Sequence, residues 1–385
     1  MSEMSYLEKL LDGVEVEWRN LGDTSLFEIA NNGRKPVKAS LRIAGETPYY
    51  GANNIQDYVD GYTHDGEYVL IAEDGSASLE NYSIQYATGK FWANNHVHVV
   101  RGKERVHSRF LYHYLCIVNF LPFLTGGGRA KLTKGQLIEI PVPIPCPDNP
   151  EKSLAIQSEI VRILDKFTAL TAELTAELTA ELNMRKKQYN YYRDQLLSFK
   201  EGEVEWKTLG EVAVIGTGNH DTQDAIEHGK YIFYARGREP LKLNVFDFDE
   251  TAIITAGDGA GVGKVFHYAK GKYALHQRAY RIVPNAFMNP RFVYHYITAY
   301  FFTYIQKASV SSSVTSLRRP MFLKFPIPVP PSEEQARIVE ILDKFDTLTN
   351  SITEGLPREI ELRQKQYEYY RDLLFSFPRP ETASN

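Results

Sequence analysis

Arg185-Lys-Lys-Gln-Tyr-Asn-Tyr-Tyr-Arg-Asp194 is written again, 178 residues further on, as Arg363-Gln-Lys-Gln-Tyr-Glu-Tyr-Tyr-Arg-Asp372. Ile163-Leu-Asp-Lys-Phe167 returns at the same offset as Ile341-Leu-Asp-Lys-Phe345. A single offset means that no insertion or deletion separates the copies over this stretch, which a rigid element of fixed length explains. From 157 to 199 and from 335 to 377, apolar residues recur every three or four positions among good helix formers, so each copy predicts a long helix. Outward from there, Val16-Glu17-Trp18 with Leu21-Gly22 recurs as Val204-Glu205-Trp206 with Leu209-Gly210. Ile140-Pro-Val-Pro-Ile-Pro145 recurs as Phe325-Pro-Ile-Pro-Val-Pro330. The chain is a duplication.

Inside the first helix Thr-Ala-Glu-Leu is repeated in tandem over 171–182. Leu170, Leu174, Leu178 and Leu182 form one stripe, and Leu348, Ile352, Leu356 and Ile360 hold the matching places in the second copy. An apolar stripe calls for a partner to bury it, and the other copy's stripe is the natural one. This predicts an antiparallel pair of helices of roughly 40 residues each. Gly355 and Pro357 are expected to kink or interrupt the second, because proline removes a donor and clashes with the preceding turn.

Residues 24–145 and 212–330 share a skeleton but few side chains. Tyr86, Gly89 and Lys90 match Tyr268, Gly271 and Lys272, and Tyr112-His113-Tyr114 matches Tyr294-His295-Tyr296. Short apolar runs such as 68–72 and 252–256 read as strands, with helices near 108–120 and 290–306. The expected fold class is α/β, in the α+β sense. Two modules are related by pseudo-twofold duplication and separated by two long antiparallel coiled-coil helices. The expected boundaries are a frame segment 1–23, module 24–150, central helix 151–200, module 201–330, distal helix 331–378 and tail 379–385.

At 385 residues with 43% hydrophobic and 24% charged side chains, the composition is that of a globular protein of two or three domains. No apolar run approaches the ~18 residues of a membrane span, and the start of the chain has no signal-peptide character, so the cytoplasm is the expected compartment. Cys116 and Cys146 lack metal-ligand spacing and are expected to be reduced structural residues.

The net charge of -4 hides an uneven distribution. Residues 24–145 hold twelve Lys+Arg against eleven Asp+Glu, and 212–330 hold fourteen against eight, so the rest of the chain carries -4 - 1 - 6 = -11. No acid occurs between Asp258 and Glu333, and only Glu104 between Glu80 and Glu139. Those stretches occupy equivalent places in the duplicate and hold ten and eight Lys+Arg. Exclusion of carboxylates twice from equivalent surfaces points to a polyanion partner, since each would repel phosphate, with chance in a strand-rich region as the alternative; double-stranded DNA is the expected partner.

Within these stretches Asn94, Asn95, His96 and His98 align with His276, Gln277, Arg278 and Tyr280. Asn and Gln can pair bidentately with adenine and Arg with guanine in the major groove, although strand-end residues that satisfy turns would look the same. Gly126-Gly-Gly-Arg129-Ala-Lys131 aligns with Ser311-Ser312-Ser313-Val-Thr-Ser316, each followed by basic residues: Lys134 in one copy, Arg318 and Arg319 in the other. Small residues and hydroxyls suit close approach to phosphates, and a surface loop is the alternative. Lys103, Arg105, Lys264 and Lys272 complete the expected DNA contacts.

Catalytic signatures are missing. Gly257-Asp-Gly-Ala-Gly-Val-Gly-Lys264 fails as a phosphate loop, with Asp258 and Val265 where glycine and Ser/Thr are needed, and reads as a glycine-rich turn bordering the DNA surface. Asp247 and Asp249-Glu250 read as a solvated strand edge rather than a metal site, and the histidines show no zinc-like spacing.

Two variable modules alternating with two matched helical segments, each module ending in a Pro-rich strand and then Ile-Leu-Asp-Lys-Phe, resemble the specificity subunits of type I restriction-modification enzymes. The Thr-Ala-Glu-Leu tandem resembles the IC group. The resemblance covers essentially the whole chain. It implies two target recognition domains for the halves of a split DNA site, and a helical frame that binds two modification subunits. Those would use S-adenosylmethionine to methylate adenine, and restriction subunits would use ATP and Mg, leaving this chain with no cofactor, metal or catalytic residue of its own. Tyr189, Tyr192 and Arg193, with Tyr367, Tyr370 and Arg371, then become candidate contacts to the modification subunits, since Tyr and Arg dominate interface hot spots. Packing against Trp18 and Trp206 is the alternative. Two rival classes are the reading half of a self-contained restriction-methylation enzyme and a coiled-coil scaffold with two protein-binding modules.

Overall fold

The computed structural model describes residues 10, 14–126, 130–200, 202–308, 317–351 and 353–378. The first half runs β1 (Val16–Asn20), β2 (Phe27–Ile29), β3 (Ala44–Tyr50), β4 (Ile55–Val59), β5 (His64–Asp65), β6 (Tyr68–Ala72), β7 (Ile84–Ala87), β8 (Lys90–Ala93) and β9 (Val97–Gly102). Then come α1 (Ser108–Leu115), α2 (Lys134–Leu137), β10 (Pro141–Pro145) and α3 (Pro150–Leu196). The second half runs β11 (Glu205–Thr208), α4 (Leu209–Val212), β12 (Ala213–Thr217), β13 (Tyr231–Tyr234), β14 (Leu241–Leu243), β15 (Phe248–Ala256), β16 (Phe266–Leu275) and β17 (Ala279–Pro284). It ends with α5 (Pro290–Ala308), α6 (Arg319–Leu323), β18 (Pro326–Val329), α7 (Ser332–Asn350) and α8 (Leu356–Leu374).

The first module builds two four-stranded sheets, β2-β9-β6-β7 and β4-β3-β8-β5, and the second a six-stranded sheet, β12-β17-β15-β16-β13-β14. The single strand β16 occupies the place of β7 and β8, which separate at Gly89, the counterpart of Gly271. All five residues of β6 are buried, as its unbroken apolar run requires. The Pro-rich strands form two-stranded antiparallel ribbons, Trp18 opposite Pro143 in β1–β10 and Trp206 opposite Pro328 in β11–β18. Prolines cannot donate to a ladder, so edge pairing suits them.

Two compact units emerge, residues 1–176 with 361–385, and residues 177–360. Each contains one module, the opening of the helix that follows it and the closing part of the other copy's helix. In the first unit Phe110, Leu111 and Leu115 of α1 pack with Ile160 and Leu164 of α3, and Leu374, Phe375 and Phe377 complete the core. In the second, Phe292 and Ile297 of α5 pack with Ile338 and Leu342 of α7, and Leu197 and Phe199 complete it.

The long central helix is continuous over 47 residues. It begins at Pro150, a favoured first position, with the Asn149 side chain accepting from the Lys152 amide at 3.0 Å. The second copy is interrupted, as expected. Its first half ends at Asn350, Gly355 takes φ +83°, a left-handed conformation that other residues rarely adopt, and Pro357 sits in the first turn of α8. The leucine stripe is shallower than expected. Leu170 is 47% exposed, and Leu174, Leu178, Leu182, Leu348, Leu356 and Ile360 are half-buried, while the deep positions lie nearer the modules; Ile352 falls outside the described residues. In the first unit the helices do run antiparallel. Phe167 stacks on Tyr370 at 5.4 Å, and the next residue, Thr168, meets the earlier Tyr367 at 3.1 Å.

Candidate nucleic-acid interface

Three segments are stitched together by the same backbone bonds in both modules. In the first, the Glu73 amide donates to the His96 carbonyl (2.8 Å) and the Leu132 amide to the Glu73 carbonyl (2.8 Å). In the second, the Gly257 amide donates to the Arg278 carbonyl (2.8 Å) and the Leu317 amide to the Gly257 carbonyl (2.7 Å). The turn after the central strand, the loop before the last strand (94–96 or 276–278) and the segment from 131 or 317 onward thus share one surface. Gly257 is needed there because a Cβ would lie 2.6 Å from the Arg278 carbonyl oxygen.

The loop residues divide into two kinds. Asn94 and His276 are buried, and each accepts from the backbone amide two residues on, at 2.8 Å from His96 and 2.9 Å from Arg278. They shape the turn. His98 is fully buried, bonded to Asn31 (2.9 Å) and to the Leu132 carbonyl (2.7 Å). Burial holds His98 and His276 below the ordinary histidine value. These three side chains therefore depart from the expectation of base readers, because no edge of them reaches the surface.

Asn95 and His96, with Gln277 and Arg278, remain outside. His96 and Arg278 each carry an acid partner from the neighbouring turn. Asp74 bonds His96 at 2.6 Å, and Asp258, which occupies the same place, bonds Arg278 at 3.2 Å and Arg236 at 2.9 Å. Partial burial opposes ionisation of Asp258, yet the two arginines outweigh it and hold its carboxyl below the usual range. Gln277 donates to Asp221 at 2.8 Å, and that bond is the main cause of the lowered Asp221 value.

Of the expected cations, Lys131 lies on this surface, paired with Glu73 at 3.1 Å, and Lys134 opens α2 just beyond it. Lys264 lines a groove with Arg236, Arg238 and Asp258. Arg318 and Arg319 follow Leu317, and neither guanidinium has an ion pair among the described residues. Lys272 sits over Phe246 at 4.8 Å, past the bend of β16. Lys103 and Arg105 belong elsewhere: they follow the far end of β9, about 20 Å along the strand, and donate to the carbonyls of Thr24 and Pro147. Arg129, Ser311, Ser312 and Ser313 fall outside the described residues. Arg34 and Arg236 were missed; for Arg236 the cue available was Asp258 at the edge of an acid-poor stretch, which needs a cation beside it, and for Arg34 the sequence offered none.

Of the acids expected at a solvated strand edge, Asp249 is exposed as expected, whereas Asp247 and Glu250 are engaged. Asp247 bonds His220 (3.1 Å) and the Leu275 amide (2.8 Å), and Glu250 bonds Arg281 (2.7 Å) and Tyr273 (2.8 Å).

A second duplicated set ties each module to its helix. Asp165 accepts from Arg109 (2.9 Å) and His113 (2.7 Å), and Asp343 accepts from Arg291 (2.6 Å) and His295 (2.7 Å). Burial keeps both histidines below their ordinary value against the opposing pull of the aspartates, so at neutral pH each is an uncharged ring donating its Nε2 proton. Arg109 lies over Tyr86 and Tyr112, and Arg291 over Tyr268 and Tyr294. On the helices, Tyr192 stacks on Phe345 at 5.6 Å and Tyr189 tilts against it, while Arg193 and Arg371 bond Asp194 and Asp372. Trp18 instead meets Tyr114, and Trp206 meets Tyr296. Tyr191 and Tyr369 are the more exposed pair, at 61% and 64%, with Tyr192 and Tyr370 exposed at 45% and 37%.

Two modules with one backbone frame and different outward side chains, each joined to its helix by matching contacts to which Arg291 adds a bond to Asp346 (2.8 Å), define a duplicated recognition protein. The model of the type I restriction modification DNA specificity domain matches twice, over 14–184 and 201–362, and the chain belongs to that family. It is 47% identical to the putative type I restriction enzyme specificity subunit S.HindORF215P of Haemophilus influenzae, over 97% of this chain and 98% of that one. It is 42% identical to the EcoR124I/EcoR124II specificity subunit of Escherichia coli, over the full length of both. The fold is similar to the S subunit crystal structure from M. genitalium, with TM-score 0.55, 15% identity and 99% of each chain covered. Among the described residues no helix is long and apolar enough to cross a membrane.

Proposed function

We propose that each module reads one half of a bipartite DNA site, that the helices set the spacing between halves, and that this chain leaves catalysis to its partners. The observation that carries this is the twice-built turn in which an aspartate aims a different side chain, His96 in one module and Arg278 in the other. A repeated mount with a different tip in each copy is what two different half-sites require. Arg278, steadied by Asp258, suits guanine; Asn95 and Gln277 suit adenine. Lys131, Lys134, Lys264, Arg318 and Arg319 supply phosphate contacts. Two modification subunits attach along the helices, where Tyr191 and Tyr369 stand exposed in matching places beside Tyr192, Arg193, Tyr370 and Arg371. They would bring S-adenosylmethionine chemistry, and restriction subunits ATP and Mg chemistry.

The test follows from the tandem repeat over 171–182. Removing 179–182 shortens one helix by about 6 Å; with its antiparallel partner unchanged in length, the modules approach by roughly half of that, close to one base-pair rise of about 3.4 Å, and the whole net turn of about 40° is close to the twist of one base pair. Mapping of methylated sites should show both half-sites kept and the spacer one base pair shorter. An unchanged spacer would show that the helix is not the ruler.

A further inference from the structure

Between β2 and β3 of the first module, residues 31–43 carry Arg34, Lys35, Lys38 and Arg42 and no acid. The root of this arm is continuous with the reading surface. Arg34 bonds Glu73 at 2.6 Å and the Val97 carbonyl at 2.9 Å, and the Lys35 amide bonds the Ala93 carbonyl at 3.0 Å. Its middle is held in place: the Arg42 guanidinium lies 4.1 Å from the centre of the Tyr49 ring, its Nε donates to the Val37 carbonyl at 3.2 Å, and the Trp92 indole donates to the Lys35 carbonyl at 2.7 Å. Because Arg42 turns inward, its neighbours turn outward. Leu41 is 70% exposed and Ile43 71%, the largest values among the exposed large hydrophobic residues described.

An ordered arm that holds two aliphatic side chains in water works against the hydrophobic effect, so something else must cover them. The duplication does not demand the feature. The equivalent segment of the second module, 218–229, carries Asp221, Asp224 and Glu227 and no Lys or Arg.

We propose that this arm is a second DNA contact of the first module, with Lys35 and Lys38 on phosphates and Leu41 and Ile43 pressed as an apolar wedge into the minor groove beside the half-site. It rests on the DNA-reading role proposed above. The occupant follows from the charge of the arm and its continuity with the 94–96 loop, and apolar wedges flanked by cations are a known way to unstack a base step. Such a contact selects sequence through the ease of deforming the step rather than through base edges. The first half-site is therefore expected to extend to base pairs that no polar side chain touches.

The experiment uses the full chain and duplexes carrying the site mapped by methylation, with 2-aminopurine placed in turn at each position in and beside the first half-site. Wild type should brighten the probe at one step. The double variant Leu41→Ala, Ile43→Ala should lose that brightening and bind the site about tenfold more weakly, with unchanged thermal unfolding because both residues are exposed. Lys35→Ala with Lys38→Ala should instead lower the salt slope by about two. A double variant that binds and brightens like wild type would overturn the proposal and leave the wedge to a protein partner. Wild-type chain showing no preference for the mapped duplex would overturn the reading role itself, and the arm with it.

Discussion

The junctions between modules and helices are near copies of each other, whereas the turns at 94–96 and 276–278 are not. Asp165 and Asp343 each hold an arginine and a histidine in matching places, at distances that agree within about 0.3 Å, while equivalent turns present His96 in one module and Arg278 in the other. The 31–43 and 218–229 segments go further and invert their charge. What the duplication keeps is the means of holding a module at a fixed attitude to its helix. What it lets drift is the chemistry that faces outward.

If the frame is a true copy, injuries to matching frame positions should cost matching amounts. The largest effect is expected at the helix ends that complete each core. Phe375→Ala or Phe377→Ala should destabilise the first unit by about 3–5 kcal/mol, and Leu197→Ala the second by about 2–5 kcal/mol. Urea unfolding measures both, and a neutral result at either end would break the equivalence. Next come the junctions. Asp165→Ala and Asp343→Ala each leave a buried histidine N–H without its acceptor and should cost about 1–3 kcal/mol apiece. A large cost on one side only would mean that the two modules are held differently.

The same histidines sharpen the comparison through pH. His113 and His295 bind protons less readily folded than unfolded, so unfolding takes up protons as pH falls. Their stabilising contribution is full above about pH 6.5 and is lost as pH falls through the lowered folded values, with His98 and His276 acting in the same direction. Denaturation midpoints between pH 8 and 5 should fall by similar amounts in the two units. Replacing His113 and His295 by Gln should flatten the fall.

The frame was legible because a fixed offset of 178 and a helical period leave a one-dimensional trace. The exchange of helix ends left none: nothing near Phe375 or Phe377 in sequence says that they finish a core begun at Phe110. The 94–96 and 276–278 loops were visible as equivalent places but their outward residues were not, because Asn94 and Asn95 are chemically alike and only the turn decides which faces inward. Asp165 and Asp343 were visible as repeated letters in Ile-Leu-Asp-Lys-Phe without a role. Their partners, four residues apart in both copies, could have suggested one, since that spacing puts an arginine and a histidine on the same face of a helix.

The central claim is that the mounts are shared and the tips independent, and methylation mapping of host DNA carrying His96→Ala or Arg278→Ala tests it most directly. Each variant should relax one half-site and leave the other half and the spacer unchanged, with about 1–3 kcal/mol of discrimination lost at the affected position. If both variants relaxed the same half, or merely reduced methylation everywhere, the assignment of one reader to each module would be contradicted.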